Sequence, residues 1–283
     1  MKIIAKDFLA PRIVRLVVKA PAVAAKAQPG HFVIVRSNEH AERIPLTIAD
    51  FNREQGTITL VIQEVGKSTA LINKMEVGQK FPDVLGPLGT PYPIGKIGAV
   101  LGVAGGLGAA PLYPKIKALF EAGNRIIMVS GAQRKELLIL TEELQKVSHE
   151  FQIATDDGSY GHKGLVTDLL RQALEREKID EVIAIGPVPM MEACCKITRE
   201  FKVKTMVSLN AVMVDGTGMC GGCRVTVAGT SKFCCMDGPA FDGLAVDFTE
   251  LRQRQRYYSD QEKQTYQAYQ EHEGMGGCQC HAK

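Results

Sequence analysis

The first third of the chain alternates apolar and polar positions in short runs. The runs RIVRLVVKA (12–20), GHFVIVRS (30–37) and GTITLVIQEVG (56–66) are rich in β-branched side chains and are bounded by Gly, Pro and Asn. This pattern is typical of antiparallel strands that bury one face. It predicts a small antiparallel β-barrel over residues 1–96.

Between residues 97 and 209 the pattern changes, because continuously apolar runs alternate with stretches of helical period. The runs are IGAVLGVAG, RIIMVSGA, FQIATDD, EVIAIGP and KTMVSLN, and the predicted helices span about 110–122, 134–148, 164–177 and 188–201. Apolar strands separated by helices are typical of a parallel sheet that is covered on both faces. We therefore predict a doubly wound α/β domain over residues 97–209.

The remaining chain shows two further patterns. Residues 210–247 are rich in Gly and Cys and contain no long periodic element, which predicts a small segment held by a metal. Residues 248–283 begin with a polar, helix-forming stretch that has too few apolar positions for a core helix, so we expect an exposed or partner-facing helix. A flexible tail is predicted to follow, in which Cys278, Cys280 and His281 lack a fourth partner and are interpreted as mobile side chains.

Charge and composition narrow the class of protein. The 283 residues include 34 basic and 31 acidic side chains, a balance that gives no electrostatic signal for nucleic acid or a membrane surface. No run approaches the ~18–20 apolar residues of a membrane span, and the N-terminal residues lack the apolar core of a signal peptide. We expect a cytoplasmic protein, where the eight clustered cysteines favour metal or redox chemistry over disulfides.

A glycine-rich turn, GVAGGLGAAP (102–111), joins the first strand of the α/β domain to its first helix. Gly105, Gly106 and Gly108 would let the backbone approach a pyrophosphate, and the helix start would offer free N–H groups and the positive end of its dipole. Doubly wound folds bind ligands at this position. The alternative is a tight turn without a ligand, since the spacing is not G-x-G-x-x-G.

A later strand end, IGPVPMM (185–191), has a similar arrangement. Gly186 and Pro187 open the strand end, and Met190 begins a helix, where it would border a nicotinamide ring or pack into the core. Cys194 and Cys195 lie inside this helix and are interpreted as small buried apolar side chains.

Two motifs in the barrel suggest phosphate binding. GKST (66–69) is not a P-loop, because Val61 stands where that motif needs glycine, but the loop can still donate hydrogen bonds to a diphosphate. In ERIPLTIAD (42–50), Arg43 precedes a strand and is able to pair with a phosphate, although taken alone this is an ordinary strand with an edge proline.

Together these motifs resemble the ferredoxin–NADP reductase superfamily along nearly the whole chain. The flavin motif of this superfamily, Arg-x-Tyr-Ser/Thr, corresponds here to Arg43-Ile-Pro45-Leu46-Thr47. With proline in the tyrosine position, the sequence resembles the branch that contains the electron-transfer subunit of dihydroorotate dehydrogenase. The resemblance implies that FAD is bound by Arg43 at its phosphates, by Pro45, Leu46 and Thr47 beside the flavin, and by Gly66, Lys67, Ser68 and Thr69 at the diphosphate. It also implies that Gly105, Gly106 and Gly108 face the NAD pyrophosphate.

The choice between NAD and NADP depends on charge near the ribose. A 2′-phosphate requires Arg or Lys, whereas a free ribose hydroxyl tolerates a carboxylate. Asp156 and Asp157 follow a strand near the expected ribose and favour NAD(H), although Arg134 and Lys135 follow another strand.

The Cys-rich segment contains a D-x4-C-x2-C motif. Asp215, Cys220 and Cys223 are followed by Cys235, which matches the plant-type C-x4-C-x2-C…C spacing with Asp in the first position. A 2Fe-2S cluster is favoured over a zinc site, whose usual spacings differ, and over a metal-free loop. Cys234 is the alternative to Cys235 as the last ligand.

The combination of one Asp and three Cys resembles the small (alpha) subunits of NADH-dependent reduced ferredoxin:NADP oxidoreductase, an electron-bifurcating transhydrogenase, and of sulfide dehydrogenase. These relatives place their last ligand just before x-D-G-P, as Cys235 stands here. The resemblance implies an electron-transfer subunit with FAD, a 2Fe-2S cluster and NAD(H). Its expected partner is a large flavoprotein subunit with 4Fe-4S clusters, through which ferredoxin is reached indirectly.

No side chain is needed as an acid or base, so no catalytic residue is predicted. Two alternatives stay open at this point. One is the electron-transfer subunit of dihydroorotate dehydrogenase, whose family has four cysteines, and the other is a redox-sensing nucleotide-binding protein without turnover.

Overall fold

The computed structural model describes residues 1–275. These residues form an antiparallel β-sheet, a mainly parallel sheet covered by helices, and a Cys-rich segment that shares a core with both. The predicted fold class is confirmed. The proposed boundaries between the segments stay predictions, and Cys278, Cys280 and His281 lie outside the described residues.

The first sheet is a closed barrel. Its elements are β1 (Lys2–Ala10), β2 (Ile13–Lys19), α1 (Pro21–Lys26), β3 (Phe32–Arg36), β4 (Ile44–Asn52), β5 (Thr57–Gln63), α2 (Lys67–Asn73) and β6 (Asp83–Leu88), with the strands in the order β1-β2-β5-β4-β3-β6. The N–H of Ile3 donates to the Gln79 carbonyl, and the N–H of Phe81 donates to the Met1 carbonyl. These bonds join the first strand to the chain just before the last, around a separate apolar core.

The second sheet contains all five strands predicted for the α/β domain. Its elements are β7 (Ala99–Gly105), α3 (Ala109–Glu121), β8 (Arg125–Ala132), α4 (Thr141–Lys146), β9 (Glu150–Thr155), β10 (His162–Lys163), α5 (Val166–Arg176), β11 (Glu181–Ile185), α6 (Val188–Glu200) and β12 (Lys204–Ser208). Strands β7 to β12 are parallel, in the order β10-β9-β8-β7-β11-β12. Strand β7 therefore lies between β8, which is the next strand in the chain, and β11, which comes much later.

The helix predicted over residues 134–148 is wrong in its extent. A 3-10 turn at Lys135–Leu137 is followed by extended backbone at Leu138, and α4 begins only at Thr141. Leu140 has a φ of 53°, in the left-handed region that interrupts a right-handed helix. Ile139 and Leu140 are buried, so burial of these two side chains outweighs the local preference for a continuous helix.

The Cys-rich segment has little regular structure. It contains the hairpin β13 (Arg224–Val227) and β14 (Thr230–Phe233), and the short strand β15 (Ala240–Asp242), which pairs antiparallel with β12 at the end of the second sheet.

The polar stretch that follows forms two helices, α7 (Phe248–Gln255) and α8 (Ser259–Met275), rather than one exposed helix. The prediction is wrong for α7, because Phe248 and Leu251, three positions apart and so on one helix face, are buried in the core. No helix among residues 1–275 is long and apolar enough to cross a membrane.

A buried polar contact ties the barrel to the second sheet. Tyr92, in the connection between them, is 3% exposed and its hydroxyl donates to Glu181, which is 1% exposed at the start of β11. The N–H of Tyr92 donates to the Pro29 carbonyl in the barrel, at 2.7 Å. Lys204 Nζ lies 2.6 Å from the other carboxylate oxygen of Glu181. One carboxylate thus joins the connection after the barrel to the start of β11.

We expect Tyr92→Phe to lower the free energy of unfolding by about 1–3 kcal/mol, because it removes a donor from a buried carboxylate. Denaturant unfolding of the purified chain measures this effect. Tyr160→Phe is the matched control, since the Tyr160 ring is 47% exposed, and we expect it to change stability by less than about 0.5 kcal/mol. Equal losses in the two variants would contradict this role of Tyr92.

Candidate functional site

A cavity of about 1000 Å³ lies where the barrel, the second sheet and the Cys-rich segment meet. The barrel contributes β4 and the neighbouring strands, the second sheet contributes its strand ends, and the chain after β12 closes the remaining side. Its lining residues are Ile13, Phe32, Pro45, Leu46, Thr47, Val61, Gln63, Gly105–Gly108, Ala110, Pro111, Gly131–Gln133, Leu137, Asp156, Leu165–Thr167, Ile185–Pro187, Pro189, Met190, Ala193, Ser208–Ala211, Met213 and Pro239.

The topology of the sheet explains where this cavity lies. The chain leaves β7 towards β8 on one side and reaches β11 on the other, so the connections diverge between β7 and β11. Such a reversal opens a crevice at the carboxyl ends of the strands, which is where doubly wound sheets bind ligands. Gly105 ends β7 and Gly186 follows β11, and both line the cavity.

The three glycines of the predicted pyrophosphate turn have different structural roles. A Cβ at Gly108 would overlap the backbone carbonyl of Ile185 on β11, so close packing requires glycine there, whereas one at Gly105 would meet the movable Met190 sulfur. Gly106 has a φ of 54° with open space beside it. Its backbone is therefore open to the approach of a bound molecule.

At the end of β11, the structure shows which of two adjacent methionines faces the cavity. Met191 is fully buried, whereas Met190 is half-buried, lines the cavity and packs against Gly105 and Gly186. Cys194 and Cys195 are buried, as predicted, and burial raises the pKa of the Cys195 thiol to about 12.

Residues predicted to contact FAD fall into two groups. Pro45, Leu46 and Thr47 lie on β4, paired with β3, and face the cavity. Arg43 and the loop 66–69 do not line it. Arg43 is mainly exposed, with a guanidinium nitrogen 3.4 Å from Asp83 Oδ2, and Gly66–Thr69 form the first turn of α2.

The two aspartates of the predicted ribose site also differ. Asp156 lines the cavity and is the one charged side chain among the lining residues in the described part of the chain. Asp157 instead accepts a hydrogen bond from the Ser159 N–H at 2.9 Å. Hydrogen bonds from Ser159 lower the pKa of Asp157, and the Ser159 side chain contributes more than the Ser159 backbone.

The Cys-rich loops bring two of the predicted ligands into contact. Cys223 Sγ lies 3.3 Å from Cys235 Sγ, and Cys223, Cys234 and Cys235 are all buried in the core. Burial, and after it the Cys223 thiol, raise the pKa of Cys235 to about 12. Cys220 is exposed, and its sulfur accepts the Gly222 N–H at 3.3 Å.

Asp215 organises the loop that carries Cys220. Its carboxylate accepts the N–H of Thr217 at 2.7 Å and the N–H of Cys220 at 2.8 Å. These donors, Thr217 first, lower the pKa of Asp215. The Thr217 hydroxyl is buried and has no hydrogen-bond partner among residues 1–275.

No group of three or more His, Cys, Asp or Glu side chains within residues 1–275 is arranged to hold a metal ion. The donor chemistry nevertheless fits an iron–sulfur cluster, because Cys223 and Cys235 are already in contact, Asp215 and Cys220 share a loop, and the Thr217 hydroxyl is free to donate. Among the four predicted ligands, the thiols of Cys223 and Cys235 are in contact, and the Asp215 carboxylate is hydrogen-bonded to the backbone N–H of Cys220.

Several lining residues were not anticipated from the sequence. Ile13, Val61 and Gln63 come from barrel strands with no motif, and Leu209, Asn210, Ala211 and Met213 follow β12. Gly131–Gln133 lie at the carboxyl end of β8, and Leu165–Thr167 lie at the start of α5. The strand-end rule that identifies Gly105 also identifies Gly131, because both lie at the carboxyl ends of apolar strands of one parallel sheet.

Family models match two parts of the chain. Residues 103–196 match the oxidoreductase NAD-binding domain, and residues 210–247 match the iron-sulfur cluster binding domain of dihydroorotate dehydrogenase B. These ranges contain the glycine turn and the four predicted cluster ligands respectively.

Whole-chain comparisons agree with these matches. A solved structure described as giving insights into flavin-based electron bifurcation via the NADH-dependent reduced ferredoxin-NADP oxidoreductase superimposes with a TM-score of 0.90, at 45% identity, and the match covers 95% of this chain and 97% of that one. A Thermotoga maritima homolog of the dihydroorotate dehydrogenase B (NAD(+)) electron transfer subunit is 46% identical over 268 residues, which is 95% of each chain. The Geobacillus thermodenitrificans electron transfer subunit is 34% identical over 251 residues, covering 85% of this chain and 95% of that one. With such identity over most of its length, the chain belongs to the family of dihydroorotate dehydrogenase B electron transfer subunits and their homologs.

Proposed function

We propose that this chain is the electron-transfer subunit of a complex of the NADH-dependent reduced ferredoxin:NADP oxidoreductase type. In it the chain exchanges hydride with NAD(H) and passes single electrons to or from a larger subunit. The observation that carries the proposal is the single cavity bounded by β4, the Gly105–Gly108 turn and the Cys-rich segment. It provides adjacent places for a flavin, a nicotinamide and the path to a cluster.

FAD, NAD(H) and a 2Fe-2S cluster supply, when bound, the conversion of a two-electron hydride carrier into one-electron steps. The chain holds them in place. Pro45, Leu46 and Thr47 would hold the flavin side of the cavity, with Arg43 and Gly66, Lys67, Ser68 and Thr69 at the FAD phosphates. Gly105, Gly106, Gly108, Gly186, Pro187 and Met190 would hold the nicotinamide nucleotide, with Asp156 and Asp157 near its ribose.

The cavity lining supports a role in positioning rather than in proton transfer. Apolar side chains and backbone dominate it, and Asp156 is its single charged group among the described residues. Apolar walls exclude water from a hydride-exchange site, which limits side reactions.

Asp215, Cys220, Cys223 and Cys235 are the proposed cluster ligands. The contact between Cys223 and Cys235 supports Cys235 over Cys234 as the last ligand. A carboxylate has about four lone-pair sites, so Asp215 can accept two N–H groups and still donate to iron.

The Cys-rich segment carries exposed apolar side chains. Val214, Met219 and Met236 are 58%, 86% and 53% exposed. Apolar side chains clustered at the protein surface mark interaction sites, and methionines adapt readily to a partner. We place the larger flavoprotein subunit, with its 4Fe-4S clusters, on this surface, with ferredoxin reached through that subunit and the complex in the cytoplasm.

The second candidate is the electron-transfer subunit of a dihydroorotate dehydrogenase B. The match of residues 210–247 to the cluster domain of that enzyme favours it. Asp215 favours the first proposal, because the dehydrogenase subunits are expected to carry a fourth cysteine at this position. Reconstitution with each type of large subunit separates the two.

The purified chain is expected to contain FAD, iron and acid-labile sulfide, and to reduce ferricyanide with NADH. Chemical analysis of the three components and a steady-state assay test this. A chain that binds zinc in place of iron, or one that contains the cofactors without turnover, would contradict the proposal.

Cys235→Ala is expected to abolish the 2Fe-2S cluster, because it removes a ligand thiol. Cys234→Ala is the matched control, and we expect it to keep the cluster while losing about 1 kcal/mol of stability through a small core cavity. Iron and sulfide content, the visible spectrum and denaturant unfolding measure both effects. A cluster that survives in Cys235→Ala but not in Cys234→Ala would reverse the assignment.

Asp156→Ser is expected to reduce the preference for NADH over NADPH by about tenfold, because like charges about 4 Å apart repel by ~1–4 kcal/mol near a protein surface. Asp157→Ser is the control, since the Asp157 carboxylate is bound to the Ser159 N–H. The ratio of kcat/KM for the two nucleotides measures the effect. If only the Asp157 variant changes the ratio, the specificity role belongs to that residue instead.

A further inference from the structure

Helix α7 connects three parts of the molecule that border the cavity or the cluster loop. Arg252 forms an ion pair with Glu192 on α6, next to the cavity-lining residue Ala193. Gln255 Nε2 donates to the side-chain oxygen of Asn210 at 2.9 Å, and Asn210 also lines the cavity. Two buried side chains, Phe248 and Leu251, anchor the helix in the core.

Between these two residues, Arg254 reaches the Cys220–Cys223 loop. Its Nη2 donates to the Gly222 carbonyl at 3.2 Å. Its Nε is buried and has no hydrogen-bond partner among residues 1–275. Arg252 on the same helix is neutralised by Glu192, but the partner that the structure provides for Arg254 is a carbonyl.

The contact with Gly222 fixes a peptide at the centre of the loop. In a trans peptide the carbonyl and the following N–H point in opposite directions. Because Arg254 holds the Gly222 carbonyl, the Cys223 N–H of the same peptide is directed away from the guanidinium. The preceding peptide is fixed separately, since the Gly222 N–H donates to the Cys220 sulfur.

The charge of Arg254 acts on the same loop. A cluster gains one negative charge on reduction, so a nearby cation without a carboxylate partner stabilises the reduced form. Partial burial limits screening by salt and water. Arg224 also reaches this loop, 3.3 Å from where a Cβ of Gly221 would lie, but it is exposed and its charge is screened more.

We propose that Arg254 is a positioning residue for the iron–sulfur cluster, which fixes the Gly222–Cys223 peptide and raises the reduction potential of the cluster through its charge. The proposal rests on the assignment of the cluster to this loop. Neither the family match nor the ligand set requires an arginine on α7.

An EPR-monitored redox titration of the purified full-length chain tests this. Arg254→Gln is expected to lower the ratio of reduced to oxidised cluster about tenfold at any fixed potential, which is a shift of about 59 mV for one electron. Arg254→Lys keeps the charge and is expected to stay within about twofold of the parent. Arg252→Gln, which breaks a contact of the same helix without removing a charge next to the loop, is expected to leave the potential unchanged.

Three results would overturn the proposal: Arg254→Gln within twofold of the parent, Arg254→Lys shifted as far as tenfold, or Arg252→Gln shifted as much as Arg254→Gln. If Arg254→Gln fails to hold a cluster, Arg254→Lys decides the question alone, by keeping or losing the parent potential. Iron and sulfide analysis of the parent protein distinguishes failure of the proposed function from failure of the role of Arg254. A parent without a cluster refutes the proposed function, whereas a parent with a cluster and unshifted variants refutes only the role of Arg254.

Discussion

The reversal of strand order beside β7 is the constraint on which the rest of the site depends. Because β7 has β8 on one side and β11 on the other, the chain connections leave in opposite directions and a crevice opens above the strand ends. The close approach of Gly108 to β11 keeps this crevice narrow at its base. The barrel covers it with β4, and the chain after β12 closes its remaining side. Three separate segments thus contribute to one cavity without any of them containing a complete site.

Much of this arrangement can be predicted from the sequence, because its signals are local. Apolar runs alternating with helical stretches identify all five core strands of the second sheet, and the glycine turn after β7 follows from the position of a strand end. The break at Leu140 could not be predicted, since it depends on burial against distant residues rather than on a local signal. The burial of helix α7 cannot be predicted for a related reason. Two apolar side chains, Phe248 and Leu251, are too few for a periodic pattern, yet they suffice to anchor eight residues.

The candidate site divides in the same way. Residues that belong to motifs, such as Pro45–Thr47 and Gly105–Gly108, lie together as the sequence suggests. Ile13, Val61 and Gln63 join them because β2 pairs with β5 and β5 pairs with β4, which brings strands distant in the chain side by side. The distinction between Asp156 and Asp157 is also tertiary. Adjacent residues after a strand point in different directions, and only the fold decides which of them faces the cavity.

Strand β15 belongs to the Cys-rich segment but pairs with β12 of the second sheet. An unpaired strand at a sheet edge exposes N–H and C=O groups that can recruit another chain. The other end of this sheet is protected differently, because β10 contains only two residues. The segment that carries the proposed cluster ligands therefore also shields the nucleotide-binding sheet from edge-to-edge aggregation. If a change in the Cys-rich segment released β15 from β12, the whole molecule would become less soluble and electron transfer would also be affected.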